Sequence, residues 1–508
     1  MRSGKLLISV ALLMICRGAT AAIPQTEAQK TVERVLSREP LKSAVCGVLA
    51  VRMDGDTLAN VNRRAKMLPA SNMKLITTGL ALRTLGSSYR FETKLGYVGE
   101  IRDSVLVGDL YIVGGADPTT GSKSDCAEPL ASLFGKWAAF LKSAGIKGIE
   151  GRIVGDPRYF DDPTPENMGW SYDDIGTYYG TGPTGLNFYE NAQNFYVTPG
   201  AAVGIPPFVR PRYPETPWMK YINSARTSAS RSSNTLSYVD SDFGPYGEIR
   251  GEFPLDRGAY TLECSNKFGA YTCAYYFHKY LTNNGFSVSK SYADVSLQGQ
   301  VRTSLEFGAP SSRAADQKDV VILGSTLSPM LADIVSDTNH DSDNFFAETL
   351  LRTIGKVKSG SCTYDKAISA AESLLASMGL RVKDACQIFD GSGLSRKNYV
   401  SPDFFVRFLR AMTRSDVYAD YLRSLPVPGH EGTLKARLQK APVELKDRIH
   451  MKSGSMNGVV CFSGYITASD GQPEHTVAFS VMTNNSTGSS WTVYSLVDEI
   501  IAALAAEN

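Results

Sequence analysis

The sequence has almost no excess of either charge. Its 508 residues carry 53 Lys and Arg against 51 Asp and Glu, and charged residues make up 20%. That balance offers no basic field to a polyanion, so nucleic acid is not an expected partner. With apolar residues at 43%, the chain is neither disordered nor an all-helical coiled coil. Histidine is scarce and scattered, and no Cys/His cluster has the spacing of a zinc site. A structural metal is not expected. Past the N-terminus no run of about 18 apolar residues occurs, which excludes a later membrane span.

The first residues differ. Arg2 and Lys5 precede an apolar run from Leu6 to Cys16, and Ala19-Thr20-Ala21 supplies a small-residue cleavage site. Residues 1–21 read as a signal peptide, and the mature chain as exported to a periplasm, or secreted where no outer membrane exists. Their removal takes away Arg2, Lys5 and Arg17, leaving 50 basic residues against 51 acidic ones. Seven cysteines remain, with Cys264 and Cys273, and Cys362 and Cys386, as candidate bridges. An odd number leaves at least one thiol free.

Periodicity divides the rest. Residues 44–53 and Thr57–Val61, joined by Asp54-Gly55, read as a hairpin. Met73, Ile76 and Leu80 follow Pro69 at helical spacing, so Ser71 falls near a helix N-terminus. A strand at 106–113, a helical stripe through Leu133, Phe134, Trp137 and Leu141, and a strand at 151–156 suggest a small α/β unit. Prolines then crowd 199–217 and serines 224–233, but Tyr and Phe are too frequent for a linker, and a small β-rich unit is expected. Beyond about residue 312 helices are predicted at 327–335, 347–354, 367–378 and 402–412. Strands follow at 448–452, 459–466 and 476–483, then a last helix with Val493, Leu496, Val497, Ile500 and Leu504 on one face. The fold class is α/β and multidomain. The two ends are expected to share one sheet, with the middle inserted between them.

Three strings carry chemistry. Ser71-Asn72-Met73-Lys74 puts a hydroxyl and an amine on one helix face. A serine needs a base to become a nucleophile, and a lysine serves only if burial or a nearby cation lowers its pKa. Ser342-Asp343-Asn344 opens a helical run; Ser342 suits proton transfer to a leaving amine, and Asn344 suits holding Lys74 and a substrate carbonyl. Lys452-Ser453-Gly454-Ser455 lies on a predicted strand. There Lys452 and Ser453 would face a carboxylate, Gly454 would let substrate approach, and the N–H groups of Ser71 and Ser455 would form an oxyanion hole. Singly each string is weak: Ser287 to Lys290 and Ser232-Ser233-Asn234 also fit. Order and context single out the three. The string from Gly180 to Gly185 matches a dinucleotide loop but follows no clear strand and opens no helix.

Together the strings have the pattern of penicillin-binding proteins and β-lactamases. With residues 109–118, Asp390-Gly391-Ser392-Gly393-Leu394-Ser395-Arg396 and Gly432-Thr433-Leu434, the chain resembles the D-alanyl-D-alanine carboxypeptidase/endopeptidases of the low-molecular-mass class C penicillin-binding type. The resemblance implies a β-lactamase-like catalytic domain, an antiparallel sheet flanked by helices, with nested inserts. The expected boundaries are 22–91 and 313–508 for the catalytic domain, 92–185 and 258–312 for a second, and 186–257 for a third. It implies Ser71 as nucleophile, Lys74 as base, no metal or organic cofactor, and peptidoglycan stem peptides and β-lactams as ligands, with a homodimer possible. Ser453 stands where the family usually has threonine. Asp156, Phe160, Arg396 and Asn457 are the implied readers of a diamino acid side chain in the stem. A β-lactamase and a non-catalytic peptidoglycan-binding protein are the alternatives. The spacing between the first two strings is several times too long for the β-lactamase.

Overall fold

A computed structural model describes residues 25–162, 165–241, 244–305, 312–430 and 432–508. The expected signal peptide lies outside the described residues.

Strands from both ends of the chain build one antiparallel sheet, in the order Thr57–Val61, Val45–Arg52, Val477–Asn484, Val459–Ile466, Ile449–Met456. The N-terminal strand pairs directly with the strand of residues 477–484, Val48 opposite Val481. Val459–Ile466 and Val477–Asn484 are buried at every position, so their apolar runs need no alternation. Helices Glu27–Leu36 and Ser490–Glu507 cover one face, where Val32, Val497 and Ile501 meet Val48 and Phe462. The other face carries the helix Met73–Leu85, buried from Met73 through Leu82. Around it lie Leu331–His340, Asn344–Ser359, Tyr364–Ser377 and Pro402–Met412. A helix enclosed this way buries residues on every side, Lys74, Thr77 and Thr78 among them, so no single apolar stripe marks it.

A second sheet is mixed. The hairpin Glu92–Arg102 and Val105–Val113 turns at Asp103 and Ser104, with φ 48° and 64° as a tight two-residue hairpin turn requires. Val105–Val113 runs parallel to Ile153–Asp156, and that strand parallel to Tyr292–Val295. Helices Leu130–Ser143 and Gly269–Asn283 pack on it through Phe134, Trp137 and Phe277. Short strands between residues 192 and 265 form a third unit around Phe195, Tyr238, Ile249 and Phe253.

Some expected boundaries move. Residues 321–327 form a strand that pairs with Glu92–Arg102, and the helix expected at 327–335 instead spans Leu331–His340, so the return to the first sheet's helices comes after residue 327, not at 313. Tyr260–Ser265 pairs with Ala192–Thr198 and so extends the third unit beyond 257. The serine-rich stretch is ordered: Arg226–Ser228 pairs with Glu252–Pro254. Neither expected cysteine bridge is present. All seven described cysteines are free; Cys264 and Cys273 lie in different cores, and Cys362 Sγ instead accepts from Asp161 N–H and Arg352 Nη2.

Candidate active site

Ser71 sits on a 3₁₀ turn, Ala70–Asn72, immediately before the buried helix. Two glycines make that position possible. A side chain on Gly454 would come within 2.7 Å of Pro69 O and 3.0 Å of Ser71 N. A side chain on Gly393, whose φ is +85°, would come within 1.8 Å of Ala70 O. Gly454 therefore lets the strand Ile449–Met456 lie against the nucleophile's own backbone, whereas the sequence suggested close approach of substrate. Asn72 secures the turn, donating to Ser463 Oγ at 2.8 Å within the sheet.

Lys74 is fully buried. Its Nζ donates to Ser71 Oγ at 3.0 Å, Asn344 Oδ1 at 2.6 Å and Ser392 O at 2.9 Å. Burial lowers its pKa to about 8, against the opposing pull of Asp343, Glu348 and Asp390. Lys452 is also buried, and burial followed by the charge of Lys74 pushes its pKa well down. Asp343 caps the helix Asn344–Ser359 by accepting from Phe346 N–H, and burial raises its carboxyl to about 7. Ser342, just before it, has φ 61°, a conformation that non-glycine residues adopt rarely and that clusters at functional sites. Asn344 Nδ2 donates to Tyr179 O at 2.9 Å, so a substrate carbonyl would have to share or displace that bond.

The loop of residues 390–398 supports this centre. Glu348 accepts from Ser392 N–H at 2.7 Å and Gly391 N–H at 3.1 Å, and Asp390 accepts from Gly393 and Ser395 N–H groups. The loop in turn holds a segment of the second unit: Trp170 Nε1 donates to Asp390 Oδ2, and Asn167 Nδ2 to Phe389 O.

A cleft of about 1020 Å³ is lined by Ser71, Ser342, Asn344, Ser453, Ser455, Arg396 and Asn457. Lys74, Lys452 and Gly454 lie beneath its floor, buried. Asp156 and Phe160 are elsewhere. Asp156 ends a buried strand, and its carboxylate is occupied by Arg158 at 2.7 and 2.9 Å and by Gln317 at 3.0 Å. Phe160 is core, its ring 5.1 Å from the Arg352 guanidinium. The acidic groups facing the cleft beside Arg396 are Asp173 and Asp174, with Tyr178 and Tyr179 next to them. Burial and Asp173 raise the pKa of Asp174 while Arg396 lowers it. Only the acidic pair followed by two tyrosines marked this segment in sequence. Lys123 and Arg437 also line the cleft and were not identified from sequence; Thr433, from the string Gly432-Thr433-Leu434, lines it too. Among the described residues no group of three or more His, Cys, Asp or Glu is arranged to hold a metal ion, and no helix is long and apolar enough to cross a membrane.

A serine bonded to a buried lysine at the start of a core helix, against the edge strand of an antiparallel sheet, defines a penicillin-recognising serine acyltransferase. Residues 28–504 match the D-Ala-D-Ala carboxypeptidase 3 (S13) family, and the chain belongs to that family. It is a serine D-Ala-D-Ala carboxypeptidase of the penicillin-binding kind. The D-alanyl-D-alanine carboxypeptidase of Actinomadura sp. (strain R39) is 29% identical over 96% of this chain and 88% of its own length. The carboxypeptidase DacB of Haemophilus influenzae is 25% identical over 93% of this chain and 92% of its own. The crystal structure of penicillin binding protein 4 from Haemophilus influenzae shares the fold, with TM-score 0.76 over 94% of this chain and 98% of that one, at 22% identity.

Proposed function

We propose that the protein cleaves D-Ala-D-Ala ends of peptidoglycan stem peptides through an ester on Ser71, and also hydrolyses crosslinks whose leaving group is the amine of a neighbouring stem. The observation that carries this reading is the hydrogen bond from Lys74 Nζ to Ser71 Oγ in a fully buried setting. With its pKa near 8, Lys74 is neutral in a fraction on the order of a tenth at pH 7. The neutral amine takes the Ser71 proton as Oγ attacks the penultimate D-alanine carbonyl. The N–H groups of Ser71 and Ser455 stabilise the oxyanion. The amide C–N bond then breaks, the leaving amine takes a proton by way of Ser342, and water hydrolyses the ester.

Ser453 and Thr433 receive the carboxylate beside the scissile bond, with Lys452 buried behind them and not facing it as the sequence suggested; Ser453 Oγ already donates to Thr433 Oγ1 at 2.9 Å. On the acyl side Asp173, Asp174, Arg396 and Asn457 suit a stem side chain bearing both an amine and a carboxylate, as a diamino acid does. That gives Asp174 the role the resemblance implied for Asp156. The protein acts outside the cytoplasm, where its substrate is. Intact-mass analysis after benzylpenicillin tests the centre: one drug mass is added to the native chain and none to Ser71→Ala. Digestion of purified pentapeptide and crosslinked muropeptides tests the two activities, and no D-alanine release by the native chain would refute the first.

A further inference from the structure

Thr433, Ala436, Arg437, Phe462 and Tyr494 also line the cleft. Ser453 bonds Thr433 and lies opposite Phe462 on the next strand, and Arg437 lies over the Phe462 and Tyr494 rings. Arg437 is fixed in place: its guanidinium carbon lies 4.4 Å from the Tyr494 ring centroid, and Nε and Nη2 both donate to Asp498. Asp498 also accepts from Leu438 N–H, which holds the acid in turn. The Arg437 side chain is only 14% exposed, yet it lines the cleft wall. A guanidinium preset this way loses little freedom on meeting a carboxylate. One helical turn before Tyr494, on the same face, stands Trp491, 79% exposed.

The direction of the substrate gives this arm its meaning. Under the D,D-peptidase reading, on which the inference rests, the carboxylate beside the scissile bond lies at Ser453 and Thr433. Anything attached further along the leaving group therefore extends past Thr433 toward Arg437. A terminal D-alanine ends at its carboxylate and has nothing to place there. A crosslinked neighbour has a second peptide with carboxylates of its own.

We propose that Ala436, Arg437 and Tyr494, beyond Thr433, form the binding arm for the leaving stem peptide of a crosslink. Arg437 receives one of that peptide's carboxylates, and Trp491 covers the chain at the lip. The arm contributes binding only; the bonds made and broken at Ser71 are those given above.

The test compares kcat/KM on a crosslinked dimeric muropeptide with kcat/KM on the monomeric pentapeptide. It uses the native chain, Arg437→Ala, Arg437→Lys and Trp491→Ala. The dimer-to-monomer ratio is expected to fall about tenfold in Arg437→Ala, as for a lost charged hydrogen bond, and to recover partly in Arg437→Lys. A smaller fall is expected in Trp491→Ala, an exposed position that keeps the test decisive if Arg437→Ala does not fold. An unmoved ratio in the folded variants overturns the arm and leaves the peptidase reading standing. A native chain that cleaves the pentapeptide but not the dimer also overturns the arm. Cleavage of neither substrate removes the peptidase reading and the arm with it.

Discussion

Lys74 and Asn344 are 270 positions apart in the chain, and the Lys74 ammonium donates to Asn344 Oδ1 at 2.6 Å. That bond joins the buried first-motif helix to the start of the helix Asn344–Ser359. It also fixes the amine that sits 3.0 Å from Ser71 Oγ. Replacing Lys74 with methionine removes the base and leaves Asn344 Oδ1 and Ser392 O without this donor. Acylation by a fluorescent penicillin is expected to slow by at least about a thousandfold. A loss under tenfold, measured by stopped flow, would mean that another group takes the Ser71 proton.

The same amine sets the pH dependence. Burial holds its pKa at about 8, and only the neutral form accepts a proton. The acylation rate constant is expected to climb about tenfold per pH unit below 8 and to level off above it. A rate flat from pH 6 to 9 is incompatible with Lys74 as base.

Glu348 is buried beneath this centre and anchors the loop whose Ser392 carbonyl accepts from Lys74. Burial, then Asp390, raises its carboxyl from 4.5 to about 7. A raised acid binds more protons folded than unfolded, so its stabilising share is full below pH 4.5 and is lost as pH rises toward 7. Glu348→Gln does not titrate. Its melting temperature relative to the native chain should therefore increase between pH 4.5 and pH 7. A difference constant across that window would show that Glu348 titrates as an ordinary carboxylate.

Gly454→Ala places a methyl group against Pro69 O, Asn72 N and Ser71 N, all backbone atoms. Neither the edge strand nor the nucleophile turn can yield without moving the other. Acylation is expected to fall about a hundredfold, the scale of a misplacement near 1 Å, while the protein still folds. Circular dichroism alongside penicillin labelling separates the two effects.

On the acyl side, Asp174→Asn removes a carboxylate that faces the cleft beside Arg396. Substrates with a free amine on the stem side chain should lose about tenfold in kcat/KM relative to substrates with that amine acetylated. The control Asp156→Asn lies in the buried strand with Arg158 and should lower stability without changing that preference.

Much of the centre was legible in one dimension. Ser71, Lys74, Ser342, Asn344 and Lys452 belong to short strings whose local setting, a helix start or a strand, follows from nearby apolar spacing. The helices at Leu130–Ser143 and Ser490–Glu507 were legible for the same reason, since each buries one stripe. The strand Val321–Leu327 was not. Its residues alternate little, and only pairing with Glu92–Arg102 decides its form. Asp156 shows the same limit at the site. The family resemblance implied an available carboxylate there, and only the fold reveals that Arg158 and Gln317 already occupy it.

By itself, then, the sequence determined which residue types supply the chemistry and which local elements carry them. Local periodicity and short-range spacing are enough for that. Tertiary structure alone decided which carboxylates face the cleft, how Gly454 and Gly393 wedge the nucleophile turn, and that Arg437 lines the cleft. Those depend on contacts between segments hundreds of residues apart, where burial and exclusion of one atom by another set the outcome and no local pattern records it.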